Sequence, residues 1–208
     1  MSAETVEKAV REAGLAPLPP QAADQFQSYL ELLLKWNARL NLTAIRDPEG
    51  ILRRHFIESV QCAQSLPALP EGATLLDFGS GAGLPGIPIA ICRPELAVTL
   101  AESQGKKAAF LREAVRRLNL AAEIYDGRVE DMPASRSFSI VTLRAVDKMI
   151  PACQMASQRL ANNGWIVPFA TRSTSNEIKA ALQGVDWAVE APIVGSQQGL
   201  ILMGRRQR

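Results

Sequence analysis

Three features of the 208-residue chain predict an α/β protein, with a mostly parallel sheet of about seven strands wound on both faces and an N-terminal helical extension. From residue 74 onward, short apolar runs alternate with segments of helical period, the pattern of parallel strands joined by crossover helices. The first run ends in "DFGSGAGLPGIP" (77–88), a glycine-rich passage from strand to helix. Residues 1 to about 70 instead carry apolar residues three and four apart and no strand-like run.

In the extension, Phe26, Tyr29, Leu30, Leu33, Trp36 or Asn37, and Leu40 mark one amphipathic helix over about 22–38. A second begins at Asp47-Pro48, where the acid caps and the proline takes the first turn. It lines up Ile51, Leu52, His55, Phe56, Ser59 and Val60 on a face that must dock on something. The Pro/Gly-rich connector 66–72 divides a helical segment, 1–70, from the α/β domain, 71–208. In the domain, strands are expected at 74–78, 97–101, 122–125, 138–143, 165–170, 186–191 and 200–203, the last two as an antiparallel pair. Helices are expected at about 86–92, 105–119 and 147–161, and none is placed between the fifth and sixth strands.

Composition excludes several classes. A hydrophobic fraction of 47%, a charged fraction of 21% and a net charge of +2 describe a globular protein for which a nucleic-acid partner is allowed but not demanded. Cys62, Cys92 and Cys153 form no close pair, so neither a disulfide framework nor a metal site is indicated. The N-terminus "MSAETVEKAVREAG" lacks an apolar signal core, and no apolar run approaches the roughly 20 residues that cross a bilayer. A cytoplasmic protein without membrane contact is expected, and a monomer, since no long apolar stripe is left unpartnered.

The glycine-rich passage formally matches GxGxxG in the strand-to-helix context of a nucleotide site. A pyrophosphate needs free amides at the helix start, and Pro85 and Pro88 remove two donors there. Asp77, at the end of the first strand, is expected to face the ligand, where a carboxylate repels phosphate and suits an ammonium or sulfonium. S-adenosylmethionine carries both cations. Glu102, ending the second strand, is placed to accept from ribose hydroxyls, a role that a dinucleotide would use equally, or else to pair with Lys106 or Lys107. "DGRVED" (126–131) follows the third strand and sits over the adenine side. Arg144 emerges from the apolar run 140–143 and needs a ligand or a carboxylate, for which Asp126, Glu130 and Asp147 are the candidates.

"WNARLNLTAI" (36–45), "RRHFIES" (53–59), "LLDFGSGAGLPGIPIAI" (75–91), "ESQGKKAAFLRE" (102–113), "GRVED" (127–131) and "LRA" (143–145) together resemble the glucose-inhibited division protein B family, bacterial small-subunit rRNA methyltransferases G. The blocks span about residues 30–145 in order; beyond 150 only the strand pattern continues. The resemblance implies a Rossmann-like class I methyltransferase fold, S-adenosyl-L-methionine as cofactor, and N7-methylation of a particular guanine of 16S rRNA near the decoding centre. It places Gly79 and Leu84 against the cofactor, Val129 and Glu130 beside its adenine, and Arg144 at the completed site; Gly81, in the same loop, is a further candidate for cofactor contact.

Guanine N7 already holds a lone pair, so the reaction needs orientation rather than a base. No catalytic residue is assigned, and His55, on an apolar helix face, reads as a structural or interdomain residue more readily than as a base. Arg53, Arg54, His55, Lys106 and Lys107 are the candidates for binding 16S rRNA or the small ribosomal subunit, by salt-sensitive phosphate contacts. Three other classes stay open on the residues alone: a methyltransferase of another acceptor, a nicotinamide-dependent oxidoreductase, and a non-catalytic RNA-binding module.

Overall fold

The computed structural model describes residues 2–207. Seven strands form one sheet: β1 (Thr74–Phe78), β2 (Ala97–Glu102), β3 (Ala122–Asp126), β4 (Phe138–Leu143), β5 (Leu160–Thr171), β6 (Val185–Pro192) and β7 (Gly199–Arg206). Their order is β3-β2-β1-β4-β5-β7-β6. The first five strands are parallel, and β7 runs antiparallel between β5 and β6. The chain reverses its direction of travel across the sheet between β1 and β4, which opens a crevice at the carboxyl ends of the central strands, where open α/β sheets bind ligands.

Successive side chains on a strand face opposite ways, and the core divides accordingly. Leu75, Ile140, Val167 and Ile201 belong to one apolar cluster, and their neighbours Leu76, Val141, Ile166 and Leu202 to the other. The first cluster is covered by α5 (Gly86–Cys92), α6 (Gly105–Arg117) and the N-terminal helices, including Val6, Phe26, Tyr29 and Phe56. The second is covered by α7 (Met149–Gln158) and α8 (Arg172–Ala181), through residues such as Cys153, Ala156 and Ile178. The N-terminal segment therefore shares one core with the sheet. The three cysteines are free and buried, and burial pushes each thiol up to about 12.

The extension contains α1 (Ala3–Glu12), α2 (Ala22–Leu40), and a helical run made of α3 (Pro48–Ile51), a π-helical turn (Leu52–Ile57) and α4 (Glu58–Ser65). The start is as expected: Asp47 caps through Gly50 N, with Pro48 in the first turn. The π turn is not visible in a hydrophobic period, because five-residue hydrogen bonding shifts the face by only part of a turn. Helix α8 lies where no helix was expected. Its Ser/Thr-rich beginning reads as loop, yet Thr171 and Thr174 form a reciprocal capping box that starts the helix, and Ile178 and Leu182 anchor it.

The block "WNARLNLTAI" has a mechanical explanation. Asn41 ends α2 at φ +49°, and the buried Asn37 accepts from Thr43 N at 2.9 Å and donates to Ile45 O at 3.2 Å. These bonds fold the loop back and aim the Thr43 hydroxyl at the His55 ring, 2.6 Å away. Trp36 Nε1 donates to Glu113 at 3.0 Å, tying α2 to α6.

Candidate active site

Most donors of the glycine-rich loop and of the helix start behind it are taken by the protein itself. Ser80 N reaches Ala101 O, Gly81 N reaches Glu102, Gly83 and Leu84 N reach Ser80 O, and Ile87 N reaches Gly83 O. Gly86 N, the first amide of α5, is taken by Asp77 Oδ2 at 3.2 Å, and Pro88 has none. A helix start with its amides already engaged offers no cradle for a pyrophosphate. The dinucleotide reading fails on this geometry.

Asp77 departs from its expected place. Its side chain is 1% exposed and turned into the fold, accepting from Thr142 Oγ1 at 2.7 Å as well as from Gly86 N. Burial pushes the carboxyl up to about 6, with the hydrogen bonds from Thr142, Ser80 and Gly86 and the Arg144 charge opposing. It is an internal strut of the loop, so its contact with a ligand, expected from its strand-end position, is replaced by two protein bonds. The glycines divide likewise. A Cβ on Gly83 would stand 2.8 Å from Ile87 Cγ1 and 3.1 Å from the Tyr29 hydroxyl, and one on Gly86 2.7 Å from Asp77 Oδ2; these two serve packing. Gly79 (φ +69°) and Gly81 (φ +54°) have the conformation that favours glycine at the open end of the loop.

That open end adjoins a cleft lined by Phe78, Gly79, Glu102, Ser103, Arg128 and Val129, among others including Glu130. Glu102 is 7% exposed, and both its oxygens are fixed by backbone donors, Oε2 by Gly81 N at 2.9 Å and Oε1 by Gln104 N at 2.8 Å. A carboxylate has about four acceptor positions, so one remains on each oxygen, the arrangement that a ribose diol requires. The pairing with Lys106 or Lys107 that competed with this reading is not formed among the described residues. The short 3₁₀ turn Val129–Asp131 is braced by Arg159, which donates to Val129 O at 2.9 Å and Glu130 O at 3.3 Å. Leu84 is buried in the core beside the loop. The acceptor positions left on Glu102 suit a diol, and the residues present are compatible with S-adenosylmethionine.

Arg144 stands at the end of β4, and its partner is none of the three acids expected. Nη2 pairs with Glu58 Oε2 at 2.5 Å and donates to Arg54 O at 2.6 Å, with His55 Nδ1 at 3.1 Å. Nη1 reaches Ser59 Oγ at 3.4 Å, and the guanidinium carbon lies 5.2 Å from the Phe169 ring centre. Asp126 pairs with Arg112 instead, and Glu58, 86 residues distant in sequence, is brought in by the N-terminal helices. The π turn ends in a tight three-residue bond, Glu58 N to His55 O, and the Arg54 carbonyl meets Arg144. His55 is held between Thr43 and Arg144, and burial followed by the Arg144 charge pulls its pKa down to about 4, so the ring is neutral at pH 7.

The expected RNA-binding residues separate into two groups. Arg53 pairs with Glu49 at 3.0 Å and Arg54 with Glu58 at 3.0 Å, so much of their charge is matched; His55 is occupied as described. Lys106 and Lys107 lie in the first turn of α6, at the carboxyl edge of the sheet, without an ion pair among the described residues. Arg128 shares that edge and was not singled out from the sequence. A groove of about 610 Å³ lies elsewhere, between α1 and the π turn; it mixes Lys8 and Arg53 with Glu12, Asp47 and Glu49 and brings no convergent chemistry.

Sequence reasoning also passed over Tyr29, Thr142 and Glu58. Tyr29 is fully buried and its hydroxyl donates to Ala82 O at 2.5 Å, clamping the loop from α2 while its ring stacks on Phe56. A tyrosine or a glutamate on the apolar face of a helix announces a buried partner, which was the available signal. Among the described residues no cluster of three or more His, Cys, Asp or Glu is arranged to hold a metal, and no helix is long and apolar enough to cross a membrane.

Comparison with known proteins agrees with the geometry. The family model described as rRNA small subunit methyltransferase G matches residues 22–191. The ribosomal RNA small subunit methyltransferase G of Methylobacillus flagellatus is 35% identical over 207 residues, covering 98% of each chain. That of Roseiflexus sp. is 42% identical over 159 residues, covering 71% of this chain and 67% of the relative. Among solved structures, a SAM-dependent methyltransferase from Aquifex aeolicus superposes with a TM-score of 0.59 at 12% identity, covering 76% of this chain and 93% of that one. The Methanococcus jannaschii fibrillarin pre-rRNA processing protein gives 0.57 at 15% identity, covering 69% and 71%. These structural likenesses carry the fold, that of class I methyltransferases, and the sequence matches carry the family: the chain belongs to the rRNA small subunit methyltransferase G family.

Proposed function

We propose that this chain, an S-adenosylmethionine-dependent methyltransferase of 16S rRNA, methylates N7 of a guanine near the decoding centre at the carboxyl edge of β1, β2 and β4. The observation that carries the placement is Glu102, held as a diol acceptor by Gly81 N and Gln104 N beside a loop with no phosphate cradle. Gly79 and Gly81 let a ligand lie against backbone, and Val129 and Glu130 border the base. S-adenosylmethionine, when bound, supplies a methyl group activated by its sulfonium.

The chain's own task is to orient. N7 needs no deprotonation, so a site without a free base is sufficient, and alignment alone is worth several kcal/mol. Arg144, Glu58 and His55 at the end of β4 form a rigid border to the acceptor side. Lys106, Lys107 and Arg128, which form no ion pair among the described residues, offer positive charge along the edge for rRNA phosphates. Residues 1–70 act as a helical segment packed on the catalytic domain, and Val189 as the single large hydrophobic more than a third exposed among the described residues supports a monomer. A cytoplasmic site of action accords with an rRNA substrate.

The test has two parts: calorimetric titration of the protein with S-adenosylmethionine, and mass analysis of 16S rRNA from cells with and without the gene. Saturable binding and loss of one 7-methylguanosine are expected. Binding with unchanged rRNA would move the assignment to another acceptor, and absence of both would remove the methyltransferase reading.

A further inference from the structure

A sulfonium and a buried arginine at the same strand edge repel each other unless the arginine's charge is compensated nearby. Arg144 is such an arginine, its side chain 13% exposed, and it is two strands from Glu102, roughly 10 Å by strand spacing. Gly79 links the two places, since a Cβ there would lie 3.0 Å from Val146, two residues past Arg144. Among the described residues the α/β domain supplies no carboxylate in contact with Arg144: Asp126 pairs with Arg112, and Asp77, bonded to Thr142 and Gly86, acts on Arg144 only through its field. The counter-charge comes from Glu58, whose side chain is 4% exposed.

We propose that Glu58, contributed by the N-terminal helical segment, is the positioning and charge-compensating residue that allows the Arg144 edge to accept the positively charged donor in preference to its neutral product. Methyl transfer turns a sulfonium into a thioether, so S-adenosylmethionine and S-adenosylhomocysteine differ in one methyl and one unit of charge. With Glu58 ionised, Arg144 and Glu58 sum to zero and do not oppose the sulfonium. The other ionisable groups around the pair leave this balance in place. Arg54 shares the Glu58 carboxylate and so counts against the pair, but its side chain is 56% exposed and solvent screens it, while the Asp77 carboxylate adds negative charge that acts on Arg144. His55 is neutral, and Tyr29 and Cys62 are held neutral by burial. The π turn adds dipoles of the same sign as Glu58 by presenting the Arg54 and His55 carbonyls to the guanidinium. Residues 48–65 thereby belong to the donor site as well as to the scaffold.

This inference rests on the cofactor position proposed above, and the experiment separates the two. Dissociation constants for S-adenosylmethionine and S-adenosylhomocysteine are measured by calorimetry on the full chain and on Glu58→Gln, Glu58→Asp and Arg144→Gln. Glu58→Gln is expected to lower the ratio of donor to product affinity by about fivefold or more, as an unscreened unit charge at such range implies. Glu58→Asp should restore the ratio, and Arg144→Gln should move it the opposite way, which keeps the test alive if the glutamine variant fails to fold. A purely structural role for Glu58 weakens both ligands alike; an unchanged ratio in the variants, with wild-type binding intact, overturns the inference and leaves the cofactor position standing. Wild-type protein that binds neither ligand overturns the position itself.

Discussion

Replacing His55 by glutamine changes the pH dependence of folding in a calculable way. In the native protein the ring is pulled from 6.5 to about 4, first by burial and then by Arg144. A base with a depressed folded pKa stabilises fully above its unfolded value, and that contribution is lost as the pH falls from 6.5 through about 4. Asp77 works in the opposite sense. Its folded value of about 6 lies above the ordinary 3.8, so its contribution is complete below 3.8 and is lost as the pH rises through about 6. Between pH 7 and pH 5, proton linkage gives a loss of ~2 kcal/mol from His55 and a gain of ~1 kcal/mol from Asp77. Wild-type stability should therefore fall slightly over this interval on account of the two groups, and His55→Gln, which retains only the Asp77 arm, should rise relative to it by ~2 kcal/mol. The assay is urea unfolding of both proteins at the two pH values. With a slope near 2 kcal/mol/M, the difference appears as a relative midpoint shift of about 1 M. All other carboxylates titrate in both proteins and cancel. Parallel midpoints, within about 0.3 M of each other across the two pH values, would refute the idea that His55 is held neutral between Thr43 and Arg144.

Gly86→Ala places a methyl group inside contact distance of Leu100 and 2.7 Å from Asp77 Oδ2, and should destabilise by about 1–3 kcal/mol in thermal unfolding, whereas Gly81→Ala, whose new Cβ meets only Gly79 O at 3.8 Å, should cost only the strain of its φ of +54°, about 1 kcal/mol. Glu102→Ala should weaken S-adenosylmethionine at least tenfold in calorimetry, as expected when two hydrogen bonds to a charged acceptor are lost, with rRNA affinity little changed; equal losses would mean that the cleft is not the adenosine site. Lys106→Glu with Lys107→Glu should reduce the slope of log affinity for rRNA against log salt by about one to two units, while Arg53→Ala, whose charge Glu49 already matches, should alter it less.

The catalytic fold was legible in the chain because its signals are local. β4 was placed at Phe138–Leu143 and α5 at Gly86–Cys92 without error, since an apolar run of strand length and a glycine-rich turn are each read within a dozen residues. Helix α8 escaped because its start depends on a capping box between two threonines, in a stretch whose composition otherwise describes loop. In the site, Glu102 was singled out from its position at a strand end, whereas the two backbone bonds that fix its oxygens are supplied only by the fold.

Asp77 shows the boundary between the two kinds of knowledge. Its place at the end of β1 follows from the pattern, but the direction of its carboxylate follows from what lies behind it, Thr142 on the adjacent strand and Gly86 N at the start of α5. Arg144 shows the same boundary at longer range. A charge emerging from the apolar run of β4 demands a partner, and the nearest acids in sequence were the natural candidates. The partner is Glu58, because the N-terminal helices pack into the same core as the sheet and a π turn brings the carboxylate and two carbonyls to the strand edge. The sequence determined the ingredients of the strand order and the need for compensation, which are properties of nearby residues, and the ligand class through the motif blocks of residues 30–145 rather than through Asp77. Which groups meet that need was decided by tertiary packing, because electrostatic partners are chosen by distance in space and 86 residues of chain separate these two.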